Sequence, residues 1–178
     1  MALPKIDVPI YDVKLISTGK KVRFRPFTVK EEKLFLMATE SEDSSATINT
    51  IKQVLNNCIL DEVDVENLPL FDIEFLFLNL RARSISEVVN LKYRCNNVVK
   101  NDEGNDKKCN NLVELDLNVL DIKPEAGEHH SNKIEISPKL GIVMKYPRMD
   151  AITINTNNKD DFDMVIDLIL DCIDYIYD

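Results

Sequence analysis

The sequence predicts an α+β fold: an N-terminal β-hairpin, a helical core, an antiparallel strand section and a C-terminal acidic amphipathic helix. Apolar residues alternate with period two near both 11–25 and 86–146, whereas between about 28 and 84 they follow helical spacing. Helical and strand-like stretches are segregated along the chain, which suits antiparallel hairpins better than a parallel sheet. The last segment sets isoleucines against a run of aspartates, the pattern of a two-faced helix.

Residues 1–9 are extended and Pro-bearing, an expected arm. Tyr11, Val13 and Leu15 alternate with Asp12 and Lys14, and after the turn "STGK", Val22 and Phe24 alternate with Lys21, Arg23 and Arg25. The result is a hairpin with one cationic face, on which Lys20, Lys21, Arg23 and Arg25 are candidate partner-binding residues. Thr28-Val-Lys-Glu31 reads as a capping box opening the first helix. A second helix is expected from about Ser45 to Leu60, with Ile48, Ile51, Leu55 and Cys58 on one stripe. The third, "LFDIEFLFLNLRARS", is apolar nearly all round. It belongs in a core or an interface, with Phe71, Phe75 and Leu78 as expected core residues.

From Ser86 onward, "EVVNLKYRC" and "NNLVELDLNVL" should pair as a long-looped antiparallel hairpin, an insert at about 88–119. "KIEI" and "GIVMKY" make a further strand pair, and "KPEAGEHHS" is a loop. "NKDDFDMVIDLILDCIDYIYD" is expected to be helical throughout. Its apolar stripe is Phe162, Val165, Ile166, Ile169, Ile173 and Ile176; Asp163, Asp167, Asp171, Asp174 and Asp178 line the other face. Like charges on one helix face cost stability, so packing or a partner must hold this helix. The stripe and Asp163, Asp167, Asp171 and Asp174 are further candidate partner-binding residues. No Gly or Pro terminator closes the helix, which leaves room for it to continue. The expected organisation is a single α+β domain at 1–149 and a C-terminal acidic helical segment at 150–178.

Composition narrows the function. The 178 residues are 44% hydrophobic, enough for one sizeable core, and 31 acidic against 22 basic residues leave a net charge of -9. That balance argues against nucleic acid, whose phosphates require a cationic footprint, and favours a partner with basic patches. No apolar run reaches membrane-spanning length, and the start carries no signal-peptide pattern. The four cysteines are therefore expected as reduced thiols in a cytoplasm. No Gly-rich phosphate loop, catalytic triad, paired-carboxylate cleft or H-E-x-x-H motif is present, so the chain reads as no enzyme, without catalytic residues, cofactor or small-molecule substrate.

Cys95 and Cys109 stand in near-repeated contexts, "RCNN" and "KCNN", where a zinc ribbon would place C-x2-C pairs. The second cysteine of each pair is replaced, by Val98 and Leu112. The expectation is a degenerate zinc-ribbon-like hairpin with no metal. Cys95 and Cys109 would act as zinc ligands only if His129 or His130 completed the set. Adjacent histidines point apart in extended chain, so a solvated loop is the plainer reading. Cys58 and Cys172 lie on apolar stripes and read as buried structural thiols.

The segments "FRPFTVKEEK" and "LPLFDIEFLFLNLRA", with "MALPKIDVP" and "CIDYIYD" at the ends, resemble the baseplate hub or hub assembly proteins of T4-like contractile-tailed bacteriophages. The resemblance runs in order along nearly the whole chain. It implies a non-enzymatic part in building the baseplate hub through contacts with other hub or tail proteins, in the host cytoplasm during assembly, and leaves open whether the chain stays in the virion tail baseplate. Two other readings stand beside it. A tail assembly chaperone would be absent from the mature virion, and a zinc-ribbon nucleic-acid-binding module would retain metal and bind DNA in a salt-dependent way.

Overall fold

In the computed structural model, β1 (Tyr11–Lys14) and β2 (Lys21–Phe24) form an antiparallel hairpin, with Val13 facing Val22 and Tyr11 facing Phe24. The structure describes residues 8–40, 44–100, 104–125, 127, 128, 130–149, 151 and 161–178. The expected arm and the polar break after the first helix fall mainly outside these residues. So does His129. Gly19 occupies the positive-φ position of the hairpin turn (φ 67), a backbone conformation that glycine adopts without strain.

Three helices pack beneath the hairpin: α1 (Val29–Glu40), α2 (Ser44–Cys58) and α3 (Leu70–Ser84). Their shared core joins Val13, Leu15, Val22 and Phe24 of the hairpin region to Val54, Leu55 and Cys58 of α2 and Ile73, Leu76 and Leu80 of α3. The chain leaving α2 docks along β2: Arg25 N donates to Cys58 O at 3.0 Å and Leu60 N to Arg23 O at 2.9 Å. Phe27, Phe35 and Phe77 close one flank through edge-to-face contacts at 5.8 and 5.4 Å.

Sequence reasoning placed the wrong residues of α3 at the centre. Phe71, Phe75 and Leu78 are only half-buried, whereas Ile73, Leu76 and Leu80 are fully buried. These three follow the three- and four-residue spacing of one helix face. A helix apolar on every side does not reveal from its pattern which face turns inward.

Asp72, wholly buried in the first turn of α3, fastens the hairpin turn to that helix. Its carboxylate accepts from Ile16 N at 2.7 Å, from Ser17 N at 3.2 Å and from the Ser17 hydroxyl. The position also benefits from the positive end of the helix dipole.

The expected capping box forms in modified shape. Glu31 reaches back to Thr28 N at 2.8 Å, and the Thr28 hydroxyl donates to the same carboxylate. Arg25 completes the cluster, donating to Glu31 at 2.9 Å. Burial alone would raise the Glu31 pKa, but the bonds from Thr28 and Arg25 outweigh it and hold the carboxyl at about 2. Because this folded value lies below the ordinary one near 4.3, the cluster stabilises fully above that pH and fades as the pH falls towards 2. Acid titration of the urea midpoint should show roughly 2–3 kcal/mol lost across that window. Glu31→Gln should start lower and respond less.

Beyond α3 the chain is mostly strand. β3 (Val88–Arg94) pairs antiparallel with β6 (Leu112–Asn118), and β4 (Val98–Lys100) with β5 (Asp106–Lys108). Val88 faces Asn118, Arg94 faces Leu112, Val98 faces Lys108 and Lys100 faces Asp106. No residue is therefore gained or lost on either strand between the two ladders. The expected insert is thus one long ribbon. Its base is fixed where Val119 is buried and donates its N–H to Glu87 O at 2.9 Å.

A three-stranded antiparallel sheet follows, in the order β7 (Lys133–Ser137), β8 (Leu140–Met144), β9 (Ile173–Tyr177). It is tied to the start of α3 by Leu70 N donating to Pro147 O at 3.0 Å. The last helix, α4 (Asp161–Asp171), precedes β9.

Here the expected terminal helix is corrected. It stops at Asp171, and Ile173, Asp174 and Ile176 belong to β9. Cys172 N closes the helix by donating to Leu168 O and Ile169 O, both at 3.1 Å, and Lys145 N donates to Cys172 O at 2.7 Å. "IDYIY" is rich in β-branched and aromatic residues, and the open edge of β8 supplies the ladder partners that turn this preference into a strand. Tyr177 lies over Gly141 so closely that a Cβ there would run into the tyrosine ring. Lys133 Nζ stands 4.8 Å from the centre of the same ring.

Candidate functional site

The cations of the N-terminal hairpin are drawn onto the chain's own acceptors. Lys21 pairs with Asp12 at 3.1 Å, Arg23 with Asp61 at 2.6 Å and Arg25 with Glu31 at 2.9 Å. Lys20 Nζ donates to Glu62 O at 3.1 Å. Asp61 also accepts from Arg23 N at 2.7 Å, and these bonds from Arg23 hold its carboxyl below the usual range. Lys20, Lys21 and Arg23 thus line a cleft of about 550 Å³ shared with Asp61 and Glu62. Asp61 lies 38 residues from Arg23, and no local pattern in the sequence points to that pairing.

The C-terminal unit is different. Phe162 is 72% exposed and Ile169 50%, with Val165, Ile166 and Leu170 also exposed. Asp163 and Asp171 are exposed as well, whereas Asp167 is partly covered. The residues of α4 turned towards the protein are Met164, Asp167 and Leu168, which lead to buried Cys172. The stripe singled out by periodicity is therefore the uncovered one.

Moving Ile173 and Ile176 into β9 gives them new neighbours. Ile134, Ile142 and Ile176 face one another in a single row across the three strands, and Ile134 and Ile176 are exposed. Sequence reasoning missed this row, because it depends on a strand that the helical reading had used up. The sequence pairs "KIEI" with "GIVMKY" but does not show what stands on the far side of that pair.

Asp174 borders a cleft of about 720 Å³ together with Asn67, His130, Lys145 and Arg148. His130 stacks on Tyr146 at 5.8 Å, with Nε2 2.7 Å from the tyrosine oxygen, and Phe71 meets Tyr146 edge-on at 4.8 Å. Ser131, next in sequence, uses its hydroxyl on the backbone of Lys133. The neighbouring serine and histidine thus have separate partners and form no nucleophile–base pair.

Between the two ladders of the ribbon, Cys95 N donates to Asn111 O and Cys109 N to Asn97 O, both at 2.8 Å; Asn110, with φ 51, donates its N–H to Cys95 O at 3.0 Å. These bonds set Cys95 against Asn111 and Cys109 against Asn97, so the two thiols are not directly opposed. Among the described residues no three His, Cys, Asp or Glu side chains gather in a group that could hold a metal ion. Cys58 is buried and its thiol is pushed up to about 11, mainly by that burial; burial also raises Cys172. Among the described residues no helix is long and apolar enough to cross a membrane.

Residues 8–178 match the family model described as T4 bacteriophage base plate protein. No curated protein and no solved structure matches the chain.

Proposed function

The chain belongs to the family of T4 bacteriophage base plate proteins, whose role is structural, and from that premise we propose that it is a non-enzymatic baseplate hub component or hub assembly factor. It acts through protein–protein contacts with other hub or tail proteins, made chiefly by the C-terminal unit. The observation that carries this reading is the run of exposed apolar side chains on α4, from Phe162 to Leu170, beside exposed Asp163 and Asp171. Apolar surface of this extent marks a contact site, and the carboxylates favour a partner whose rim is basic. The hairpin from Lys20 to Arg25 is a secondary candidate, since its cations are held by the chain's own acceptors.

Affinity purification of tagged chain from infected cells tests this. Wild type should bring down hub or tail proteins, and Val165→Asp with Ile169→Asp should lose them while keeping its urea midpoint. Asp163→Asn with Asp171→Asn should mainly flatten the salt dependence of capture. Retained partners together with a falling urea midpoint would place α4 in the chain's own packing. Mass spectrometry of purified particles separates a resident component from an assembly factor that departs.

A further inference from the structure

His130 and Tyr146 line two clefts at once. One is the cleft of about 720 Å³ where Lys145 and Arg148 stand with Asn67 and Asp174. The other, of about 650 Å³, is lined mainly by Ile16, Phe71 and Pro124, with Glu125 among its remaining residues. Arg148 is held in place: its Nη1 donates to Asn67 Oδ1 at 2.9 Å, and Asn67 Nδ2 donates to Asp64 at 2.7 Å. Among the described residues neither Arg148 nor Lys145 forms an ion pair, whereas Lys21, Arg23, Arg25, Lys52, Arg83 and Lys92 all do. The backbone beside both cations is tied down, Lys145 N to Cys172 O and Leu70 N to Pro147 O. The walls are therefore set before a ligand arrives, which lowers the ordering cost of binding.

We propose that the paired clefts take an extended segment of a partner protein in which an apolar side chain and a single carboxylate are near neighbours. The apolar side chain enters beside Phe71, and the carboxylate meets Lys145 and Arg148. Charge selects this ligand. Two cations against Asp174 leave one positive charge in the larger cleft, which matches one carboxylate. It does not match the polyanionic backbone of nucleic acid, which the net charge of -9 repels at a distance. The open guanidinium N–H groups of Arg148 suit the planar carboxylate. Glu125 disfavours a carboxylate in the apolar cleft, so the direction of the segment is fixed. Because one wall serves both clefts, side chains one or two residues apart, roughly 3–7 Å along an extended chain, reach both. The proposal rests on the reading that the chain works through protein contacts, but it uses no residue of α4.

Amide NMR of the full chain, titrated with capped tetrapeptides, tests it. Acetyl-Leu-Phe-Asp-Leu-amide should bind at ~0.1–1 mM and shift the amides of 130–132 and 144–148. Its affinity should fall several-fold as NaCl rises from ~50 to ~500 mM. The same peptide with Asn for Asp, or with Ala for Phe, should bind about tenfold more weakly. Inorganic phosphate should shift these amides only at far higher concentration. Lys145→Gln leaves the bond from Arg148 to Asn67 in place. It should keep the urea midpoint, lose about threefold in affinity for the Asp peptide and bind the Asn peptide as wild type does. Equal binding of the Asp and Asn peptides overturns the proposal. So does phosphate binding as tightly as the Asp peptide, a set of shifts confined to α4, or no response up to ~5 mM peptide. A negative peptide result leaves the α4 contact standing, whereas failed capture of hub or tail proteins with intact peptide binding counts against the α4 contact alone.

Discussion

Replacing Asp72 with alanine is expected to destabilise the protein by roughly 3–5 kcal/mol. The carboxylate is fully buried and accepts from two backbone amides, Ile16 and Ser17, and from the Ser17 hydroxyl. Removing it leaves these part-buried donors without their acceptor, at about 1–3 kcal/mol for each group left unsatisfied. It also deletes a negative charge from the first turn of α3, where the helix dipole favours one. An asparagine in its place would keep one acceptor oxygen, so Asp72→Asn should cost less, roughly 1–2 kcal/mol. Urea unfolding followed by circular dichroism measures both, and hydrogen exchange at Ile16 and Ser17 locates the damage. An alanine variant within ~0.5 kcal/mol of wild type would show that water replaces the carboxylate at no cost, and that the turn is not fastened to α3 in this way.

Local regularities were legible in the sequence. The segment "LFDIEFLFLNLRARS" is α3 from end to end, the hairpin at 88–119 is the ribbon, and "KIEI" with "GIVMKY" gives β7 and β8. Each rests on a periodicity or turn contained within a short window. What escaped depends on distant partners. The hairpin cations read as a partner-binding face because Asp61, which holds Arg23, comes far along the chain, after α2. "IDYIY" looked helical because it continues the register of the preceding isoleucines; only the edge of β8 makes it a strand. Asp72 attracted no notice, since an acidic residue in a first helical turn is ordinary and its partners precede it by 55 and 56 residues. The uncovered stripe of α4 was readable as a stripe. Which side it faced was not, because sequence periodicity identifies a face and says nothing of what lies against it.

Ile73→Ala should cost roughly 3–4 kcal/mol, the second large effect expected in this chain. Ile73 is completely buried where α3 meets the hairpin and α2, in the cluster that holds Val22, Val54 and Leu55, each at most 1% exposed. Truncation removes three carbons from this packing. Strands on one side and helices on the other limit how far the site can collapse, so most of the cavity should persist. Phe75 provides the internal comparison. It is a larger side chain, but it is half-buried at the margin of the same cluster, so Phe75→Ala should cost less, roughly 1–2 kcal/mol, in proportion to the area it hides. Urea midpoints of the two variants, measured with a common m-value, decide the matter. If Phe75→Ala proves the costlier change, α3 presents its aromatic face to the centre, and the stripe of Ile73, Leu76 and Leu80 is not the axis of the core.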